Sequence, residues 1–348
     1  MRFVSVENMV KFIQDKGLEN VLTELAQYIE SDYKRWDEFD KSPRYASHSK
    51  GGVIELMPTA DLQQFSFKYV NGHPGNFKKG LQTVVAFGVL SDVDSGYPLL
   101  LSEMTIGTAL RTAAMSAVAA KHLANPNIST MGMIGAGCQA EFQAHAFRAI
   151  TGINNLRVYD IDPEVSKKFA KNMDGRGFNI TVCPTSQDAV MGCDVITTCT
   201  ADKQYATVLS DNMVGQGMHI NAIGGDCPGK TELHPDILKR GSVFVEFEPQ
   251  SRIEGEIQHM PDDFPVTEVF EIFRGEKGGR QNEREITIFD SVGFALQDFS
   301  MLRYLFEKTE GTEYYDTLNI IAELDDPRNL FGLFGEKTND DAPKKESA

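Results

Sequence analysis

The chain has 348 residues, 41% of them hydrophobic and 24% charged, a composition typical of a globular protein long enough for two domains. Its 34 Lys and Arg are outnumbered by 50 Asp and Glu, which leaves a net charge of −16. This acidic balance argues against a surface that binds nucleic acid or anionic lipid.

The distribution of apolar and basic residues gives no clear signal for export or for membrane insertion. No window holds 18 apolar residues and no apolar run follows a basic start, so we expect no membrane span and no export signal. The five cysteines are odd in number and lack CxxC spacing, which is typical of reduced thiols in a cytoplasmic protein. The charged end from Lys337 to Ala348 is expected to fray.

Residues 1–104 are predicted to form an α+β region. Apolar residues at helical spacing, among them Met9, Phe12, Leu22 and Leu25, predict one or two helices within residues 7–36. The segments "GVIELMP", "FSFKYVNG" and "QTVVAFGVLSD" are rich in β-branched and aromatic residues and predict strands. The segment "DVDSGYPLLLSE" predicts a hairpin turn between two strands.

From residue 105 the pattern changes to that of a doubly wound α/β fold. The Ala-rich segment "TIGTALRTAAMSAVAAKHLA" predicts a helix that ends before Asn125-Pro126. Strands and helices then alternate, with strands at "TMGMIG", "LRVYD", "ITVC", "CDVITTCT", "HINAIG" and "VFVEF" and helices from about Gln139, Pro163 and Ser186. This alternation predicts a parallel sheet covered by helices on both faces, a Rossmann-type domain.

The turn after "TMGMIG" carries a dinucleotide fingerprint. Gly135, Gly137 and Ala140 have G-x-G-x-x-A spacing between a predicted strand and a predicted helix. The glycines allow a pyrophosphate to approach the N–H groups at the helix start. Asp160 follows the next strand, where an acid can bind ribose hydroxyls, and Asp162 adds a charge that would repel a 2′-phosphate, so NAD is favoured over NADP. The alternative is a glycine turn that only packs helix against sheet.

Asp226 lies just past the predicted strand "HINAIG", in the segment "NAIGGDCPGKTEL". Open α/β sheets bind ligands at the carboxyl ends of their strands. A carboxylate beside a nicotinamide can act as a general base or can pair with a substrate ammonium. The alternative is an Asx-turn, in which Asp226 would bond the backbone of the Cys-Pro-Gly bend.

Several long strings resemble the ornithine cyclodeaminase family, which also contains mu-crystallin-like proteins. They include "RTAAMSAVAAKHLA", "MIGAGCQAEFQ", "NAIGGDCPGKTELHPD", "FDSVGFALQD" and "EFEPQSRIEGEIQ". The resemblance covers nearly the whole chain apart from its charged end. It implies a redox-neutral cyclisation of L-ornithine to L-proline with loss of ammonia, in which NAD accepts a hydride and returns it.

The resemblance also assigns site residues. A base must take the proton of the substrate ammonium before hydride can leave, and this role falls to Asp226. Arg44, Lys68 and Arg111 match the contacts to the substrate carboxylate, and Val292 lines the substrate pocket. The matching cofactor positions are Thr83, Gly135, Gly137, Cys138, Gln139, Asp160, Thr200, Asn221, Ala222, Ile223, Gly224, Lys230 and Ser291.

Residue types alone leave other interpretations open. Arg44 and Lys68 are typical of solvated surface charges, whereas Arg111 lies in an apolar helix and needs a partner, which could be a structural carboxylate. Thr200 and Ser291 could be capping hydroxyls.

Charged and histidine residues outside the assigned site have less specific patterns. The run of Glu248, Arg252, Glu254 and Glu256 indicates a charged helix or loop surface, or an ion-pair network near the site. The histidines show no HxxxH or HxH spacing, so we predict no metal site, and His145 is interpreted as a packed or surface residue.

The resemblance leaves related functions open. They are a lysine or diaminobutyrate cyclodeaminase, an imine reductase or amino-acid dehydrogenase, and a non-catalytic mu-crystallin-like binding protein. We expect a substrate-binding and dimerisation domain made of residues 1–118 and 300–348 and an NAD domain of residues 119–299, with "FALQDFSMLRYLFEK" as the helix that returns to the first domain. A homodimer is the expected assembly.

Overall fold

In the computed structural model, which describes residues 1–201 and 207–335, the chain forms two β-sheets. The strands are β1 Arg2–Val4, β2 Tyr45–Ser49, β3 Gly52–Ala60, β4 Gln64–Gly72, β5 Val84–Asp92, β6 Pro98–Glu103, β7 Thr130–Ile134, β8 Asn155–Tyr159, β9 Asn179–Val182, β10 Val195–Thr198, β11 His219–Ala222, β12 Ser242–Val245, β13 Thr267–Glu268, β14 Thr287–Asp290 and β15 Asp316–Thr317. The helices are α1 Val6–Lys16, α2 Leu18–Lys34, α3 Thr105–Leu123, α4 Ala140–Thr151, α5 Pro163–Met173, α6 Ser186–Val190, α7 Pro235–Arg240, α8 Glu248–Glu254, α9 Val269–Phe273 and α10 Ala295–Lys308. The end that was predicted to fray, Lys337 to Ala348, lies outside the described residues.

The first sheet has seven strands in the order β15-β1-β6-β5-β4-β3-β2. Its strands β2 to β6 are antiparallel neighbours, and the predicted hairpin between β5 and β6 is confirmed, with Gly96 at a φ of 71° in its turn. Side chains alternate between the two faces, so Glu55 and Lys68 point to the buried side while Leu56 and Phe87 are exposed. Helix α10 packs on this buried face and also contacts α2 and α3.

The second sheet is parallel and doubly wound, as predicted. Its eight strands have the order β13-β12-β14-β11-β10-β7-β8-β9. The order reverses between β7 and β10, and at such a switch point the carboxyl ends of the strands leave a crevice for a ligand. The sequence analysis missed β14, a four-residue strand inserted between β11 and β12, because so short an apolar run shows no periodicity of its own.

The Ala-rich helix α3 joins the two sheets. It ends at Leu123, before Asn125-Pro126, as predicted, and packs against α2, α4 and α10. Small side chains allow helices to pack closely around it, which explains why Arg111 is only 5% exposed. A charge in this position requires a buried partner.

The first sheet uses residues 2–103 and 316–317, and the second uses residues 130–290. The predicted domain boundaries at 118/119 and 299/300 fall inside α3 and α10, so both helices would be shared between the two domains. In the part of the chain that the structure describes, no helix is long and apolar enough to span a membrane.

Candidate active site

The glycine turn joins β7 to α4 at the switch point of the second sheet. Gly135 has a φ of 97°, and a Cβ there would lie 2.7 Å from the carbonyl oxygen of Cys199, so only glycine fits. A Cβ at Gly137 would meet no atom of the described residues within 4 Å. The turn is therefore tight at its first glycine and open at its second.

Asp160 braces this turn from the end of β8. Its Oδ2 accepts a hydrogen bond from Ala136 N at 2.8 Å, and its Oδ1 accepts one from Asp162 N at 2.9 Å. Asp162 in turn caps α5 by accepting from Glu164 N at 3.0 Å. The carboxylate of Asp160 thus stands beside the glycine turn, as the strand order requires, and also holds the turn in shape.

Cys138 and Gln139 precede α4. The side chain of Cys138 is exposed, while Gln139 is the N-cap residue and its Oε1 is buried with no hydrogen-bond partner in residues 1–201 and 207–335. A helix N-terminus attracts a phosphate, and an unpaired buried acceptor suits a hydroxyl donor. With the open space at Gly137, these features fit the pyrophosphate and a ribose of a dinucleotide.

Polar groups beyond β10 and β11 form the other wall of the crevice. Thr200 donates from its N–H to Glu232 at 2.8 Å and from its hydroxyl to the same carboxylate, and its carbonyl accepts from Lys230 Nζ at 3.1 Å. Burial raises the pKa of Glu232. A Cβ at Gly224 would lie 2.1 Å from the Glu232 carboxyl group, so a side chain there would displace this carboxylate.

The remaining predicted cofactor residues continue β11 or flank it. Asn221 donates to Gln143 Oε1 at 3.2 Å, and Ile223 N donates to the Thr198 carbonyl at 3.0 Å. Ala222 accepts at its carbonyl from Ser291 N at 2.9 Å, which ties the end of β11 to the loop after β14. The structure therefore places Asn221, Ala222, Ile223, Gly224 and Ser291 together at one end of the sheet.

Asp226 lies just beyond this end, with 53% of its side chain exposed. Its Oδ1 is 3.2 Å from Lys230 Nζ. Burial opposes the charge of Lys230, but Asp226 and Glu232 outweigh it and raise the Lys230 pKa. The negative charge of Asp226 also contributes to raising the pKa of Arg44, so Asp226 lies within electrostatic reach of the substrate side.

The three predicted substrate cations are buried close together. Lys68 Nζ and Arg111 Nε both bind Asp298 Oδ1, at 2.8 and 3.0 Å. Arg44 pairs with Glu55 and Glu254, both at 3.1 Å. The interpretation of Arg44 and Lys68 as solvated surface charges is wrong: both are buried, because carboxylates from other elements neutralise them.

The cations also influence one another. Burial lowers the pKa of Lys68, Arg111 and Arg44 also lower it by repulsion, and Asp298 opposes the fall, with a resulting pKa of about 7. Arg44 is affected differently: burial favours its neutral form, but Glu55, Glu254 and Asp226 raise its pKa above the ordinary value. Lys68 is therefore the cation of this cluster whose charge depends most on its neighbours.

Arg44 also connects the cluster to Val292. Its Nη2 donates to the carbonyls of Val292 and Gly293 at 2.6 and 2.7 Å. Val292 is buried and donates from its N–H to Glu246 at 2.9 Å, while the hydroxyl of Ser291 donates to Glu246 at 2.6 Å. The Ser291 hydroxyl thus binds a buried carboxylate and does not cap a helix.

Sequence reasoning missed the carboxylates that hold these groups. Glu55, Glu246 and Asp298 come from β3, the end of β12 and α10, and no local pattern distinguishes them from surface acids. Glu254 and Glu256 were expected on a charged helix or loop surface, and for these two residues that expectation is wrong, since they are 4% and 1% exposed. The alternative of an ion-pair network is correct for Glu254.

Glu256 is buried for a different reason. Its carboxylate accepts from the N–H groups of Glu232 and Leu233 at 2.8 and 3.0 Å. It therefore fixes the backbone that follows Lys230. His145, outside the site, is packed, with Nδ1 2.9 Å from Glu19.

Thr83 is not brought to this site within one chain. It lies one residue before β5, and on that strand Gly88 is the partner of Lys68. Five residues of extended strand correspond to about 17 Å. Its predicted cofactor contact therefore stays a prediction.

Comparisons of the sequence with known proteins agree on one family. The sequence model of the ornithine cyclodeaminase/mu-crystallin family matches residues 6–313. An ornithine cyclodeaminase of Brucella melitensis is 60% identical over 331 residues, which are 95% of this chain and 92% of the relative.

Solved structures agree on the fold. An archaeal alanine dehydrogenase dimer with bound NAD is 33% identical, with a TM-score of 0.80 over 89% of this chain and 96% of the other. A lysine cyclodeaminase whose structures describe recognition of L-lysine, L-ornithine and L-2,4-diaminobutyric acid is 27% identical, with a TM-score of 0.84 over 89% and 92% of the two chains.

Proposed function

Because the chain belongs to the ornithine cyclodeaminase/mu-crystallin family, we propose that it is an NAD-dependent enzyme that converts L-ornithine to L-proline and ammonia. The observation that carries this proposal is the buried cluster of Arg44, Lys68 and Arg111 beside Asp226 and next to a dinucleotide crevice. The 60% identity to a named ornithine cyclodeaminase supports the choice of substrate.

The cation cluster would bind the α-carboxylate of the substrate. Arg111 and Lys68 share one carboxylate, Asp298, so this pair keeps an excess positive charge that an incoming carboxylate can neutralise. Arg44 is held by Glu55, Glu254 and two backbone carbonyls, which orient its guanidinium. Burial strengthens the attraction because water does not screen it.

Asp226 would hold the proton that the reaction must remove and return. A carbon loses hydride readily only when its nitrogen is neutral, so a carboxylate near the α-ammonium has to accept a proton first. Asp226 is partly exposed and pairs with Lys230 at the edge of the crevice. The same carboxyl group can later donate that proton to the leaving ammonia.

The crevice between β7 and β10 would hold NAD, which would supply reversible hydride transfer at the α-carbon of the substrate. Gly135, Gly137 and Gln139 would receive the pyrophosphate and Asp160 the adenosine ribose. Thr200 and Lys230 lie toward Asp226, and Ser291 binds the end of β11. These residues would position the end of the cofactor that meets the substrate.

The first test is incubation of the purified protein with L-ornithine and catalytic NAD, with ammonia, proline and absorbance at 340 nm followed together. Equal amounts of ammonia and proline without accumulating NADH are expected. Net NADH formation would indicate a dehydrogenase instead, and L-lysine in a parallel reaction tests the ring size. Asp226→Asn should keep NAD binding and lose turnover, and normal rates in that variant would remove Asp226 from the mechanism.

We also propose that the enzyme is a cytoplasmic homodimer that associates through the first sheet. The outer face of this sheet carries exposed apolar side chains on adjacent strands, among them Leu56, Phe65, Val85 and Phe87. An apolar patch of this kind is typical of a subunit interface. Light scattering should give twice the chain mass, and Phe87→Glu should shift the mass toward that of one chain.

The division into a substrate-binding domain, residues 1–118 with 300–348, and an NAD domain, residues 119–299, is part of this proposal. It is supported by the two separate sheets. A fragment of residues 105–308, which keeps α3 and α10 intact, should bind NAD without binding L-ornithine, which calorimetry can measure.

A further inference from the structure

The carboxylate of Asp298 contacts two of the three substrate cations. Its Oδ1 accepts from Lys68 Nζ at 2.8 Å and from Arg111 Nε at 3.0 Å, and its side chain is only 1% exposed. The three residues come from α10, β4 and α3. The contact therefore joins three secondary-structure elements within the cation cluster.

Gln297, the neighbour of Asp298 along α10, also binds Arg111. Gln297 accepts from Arg111 Nη1 at 2.6 Å and donates to Glu246 at 2.9 Å and to the Tyr33 hydroxyl at 3.2 Å. Arg111 is thus bound on two of its nitrogens by consecutive residues of one helix. This arrangement gives the guanidinium a single orientation before any ligand arrives.

The charge of Lys68 depends on Asp298. The charged groups that act on Lys68 are Arg111 from α3, Arg44 from the segment before β2, and Asp298 from α10. Burial and both arginines favour neutral Lys68, and Asp298 acts in the opposite direction, with a resulting pKa of about 7. Removing the negative charge of Asp298 would leave nothing in this set that favours the cation.

We propose that Asp298 is a positioning residue for substrate binding, which orients Arg111 and keeps Lys68 positively charged so that both can bind the substrate carboxylate. It acts through these two residues and does not itself touch the substrate. This inference rests on the proposed function, because it takes an amino-acid carboxylate as the ligand of the cluster.

The decisive variant is Asp298→Asn, which keeps the shape of the side chain and removes its charge. Asp32→Asn is the matched control, since Asp32 is also a buried carboxylate that binds α10, through Ser300 at 2.8 Å and Arg303 at 3.0 Å, but it does not contact Lys68. Asp298 lies on α10 and Asp32 lies on α2 and binds α10, so each variant removes one buried acid at this helix. Only the first changes the charge next to Lys68.

The substrate-independent readout is the protonation of Lys68, followed by the 13C signal of its ε-carbon in lysine-labelled protein and assigned by its loss in Lys68→Met. The native midpoint is expected near the pKa of about 7. Asp298→Asn should lower the proton affinity of Lys68 by about tenfold, and Asp32→Asn should leave that affinity unchanged. A native midpoint near the ordinary lysine value, or one that Asp298→Asn does not move, would overturn the proposal.

The functional readout is the KM for L-ornithine at pH 6 and pH 8. With a tenfold lower proton affinity, Asp298→Asn should raise KM about tenfold at pH 8 and about twofold at pH 6. A purely structural role would change KM by the same factor at both pH values. Glu254 also titrates near the cluster, so Glu254→Gln must keep the native pH dependence if Lys68 is responsible.

Two further outcomes are distinguished: a variant that does not fold and a failure of the proposed function. If Asp298→Asn does not fold, Lys68→Arg, which stays charged at every pH used, should remove the pH dependence of KM, and its persistence would contradict the proposal. If native protein does not turn over L-ornithine while Asp298→Asn still lowers the Lys68 midpoint, the proposed function fails and the charge relation between Asp298 and Lys68 stands.

Discussion

The cofactor side and the substrate side of this site differ in what holds them. The glycine turn is built mainly from backbone, with Gly135 at a positive φ and open space at Gly137. The cation cluster is built from long charged side chains that carboxylates of distant segments neutralise, such as Glu55, Glu254 and Asp298. The difference teaches that a phosphate site can be local in sequence, whereas a buried carboxylate site depends on pairing across the fold.

The largest expected effect is on the substrate side, for Arg44→Met. This change leaves Glu55 and Glu254 buried without their cation, and breaking a buried ion pair from one side costs about 3–5 kcal/mol. Urea unfolding at pH 7.5 measures the loss. Arg328→Met, at an arginine whose side chain is 89% exposed, should cause no measurable change, and an equally small effect of Arg44→Met would show that the cluster is not held by its charges.

On the cofactor side, two glycine variants distinguish an effect on stability from an effect on NAD binding. Gly135→Ala forces a positive φ on a residue with a Cβ and a clash with the Cys199 carbonyl, and should cost about 3 kcal/mol. Gly137→Ala has free space for its methyl group and should change stability by less than about 0.5 kcal/mol.

The second variant of this pair tests the cofactor. Its methyl group would occupy the approach of the pyrophosphate, so NAD affinity measured by calorimetry should fall about tenfold while the free energy of unfolding is retained. Unchanged affinity in Gly137→Ala would mean that the open side of the turn is not where the dinucleotide binds.

The pH dependence of stability tests the buried acids around Arg44. Burial raises the pKa of Glu254 from 4.5 to about 7. Because the folded value lies above the unfolded one, the linked stability is fully present below about pH 4.5 and is lost as pH rises through about 7.

Glu254→Gln removes this titration. Relative to that of the native protein, the free energy of unfolding of Glu254→Gln should increase by on the order of 2 kcal/mol as pH rises from 5 to 8. Urea unfolding at each pH measures this difference. Burial also raises the pKa of Asp290 to about 7. Asp290 therefore preserves part of the pH dependence of stability in both proteins. Parallel curves for the two proteins would show that Glu254 is ionised throughout this range.

The smallest effect is expected for Cys138→Ser. The side chain is exposed and the fingerprint uses the backbone at this position, so NAD affinity should change by less than about twofold. A tenfold loss would indicate that the thiol contributes to the site and would weaken the contrast between a backbone site and a side-chain site.

Much of the fold was predictable because its signals are local. The alternation of short strands and helices after Thr130, the end of α3 before Asn125-Pro126 and the hairpin between β5 and β6 all follow from neighbouring residues. The strand β14 was missed, because its position between β11 and β12 depends on long-range pairing.

The glycine turn, with Asp160 after the following strand, was determined by the sequence itself, since conformational freedom at Gly135 and the spacing of two strands are encoded locally. Resemblance to a family pointed to Arg44, Lys68 and Arg111, but their residue types left surface and buried roles open. Only the tertiary structure decided that all three are buried and that Glu55, Glu254 and Asp298 neutralise them. The physical reason is that a charge leaves water only where an opposite charge meets it, and here those partners come from segments up to 230 residues away along the chain.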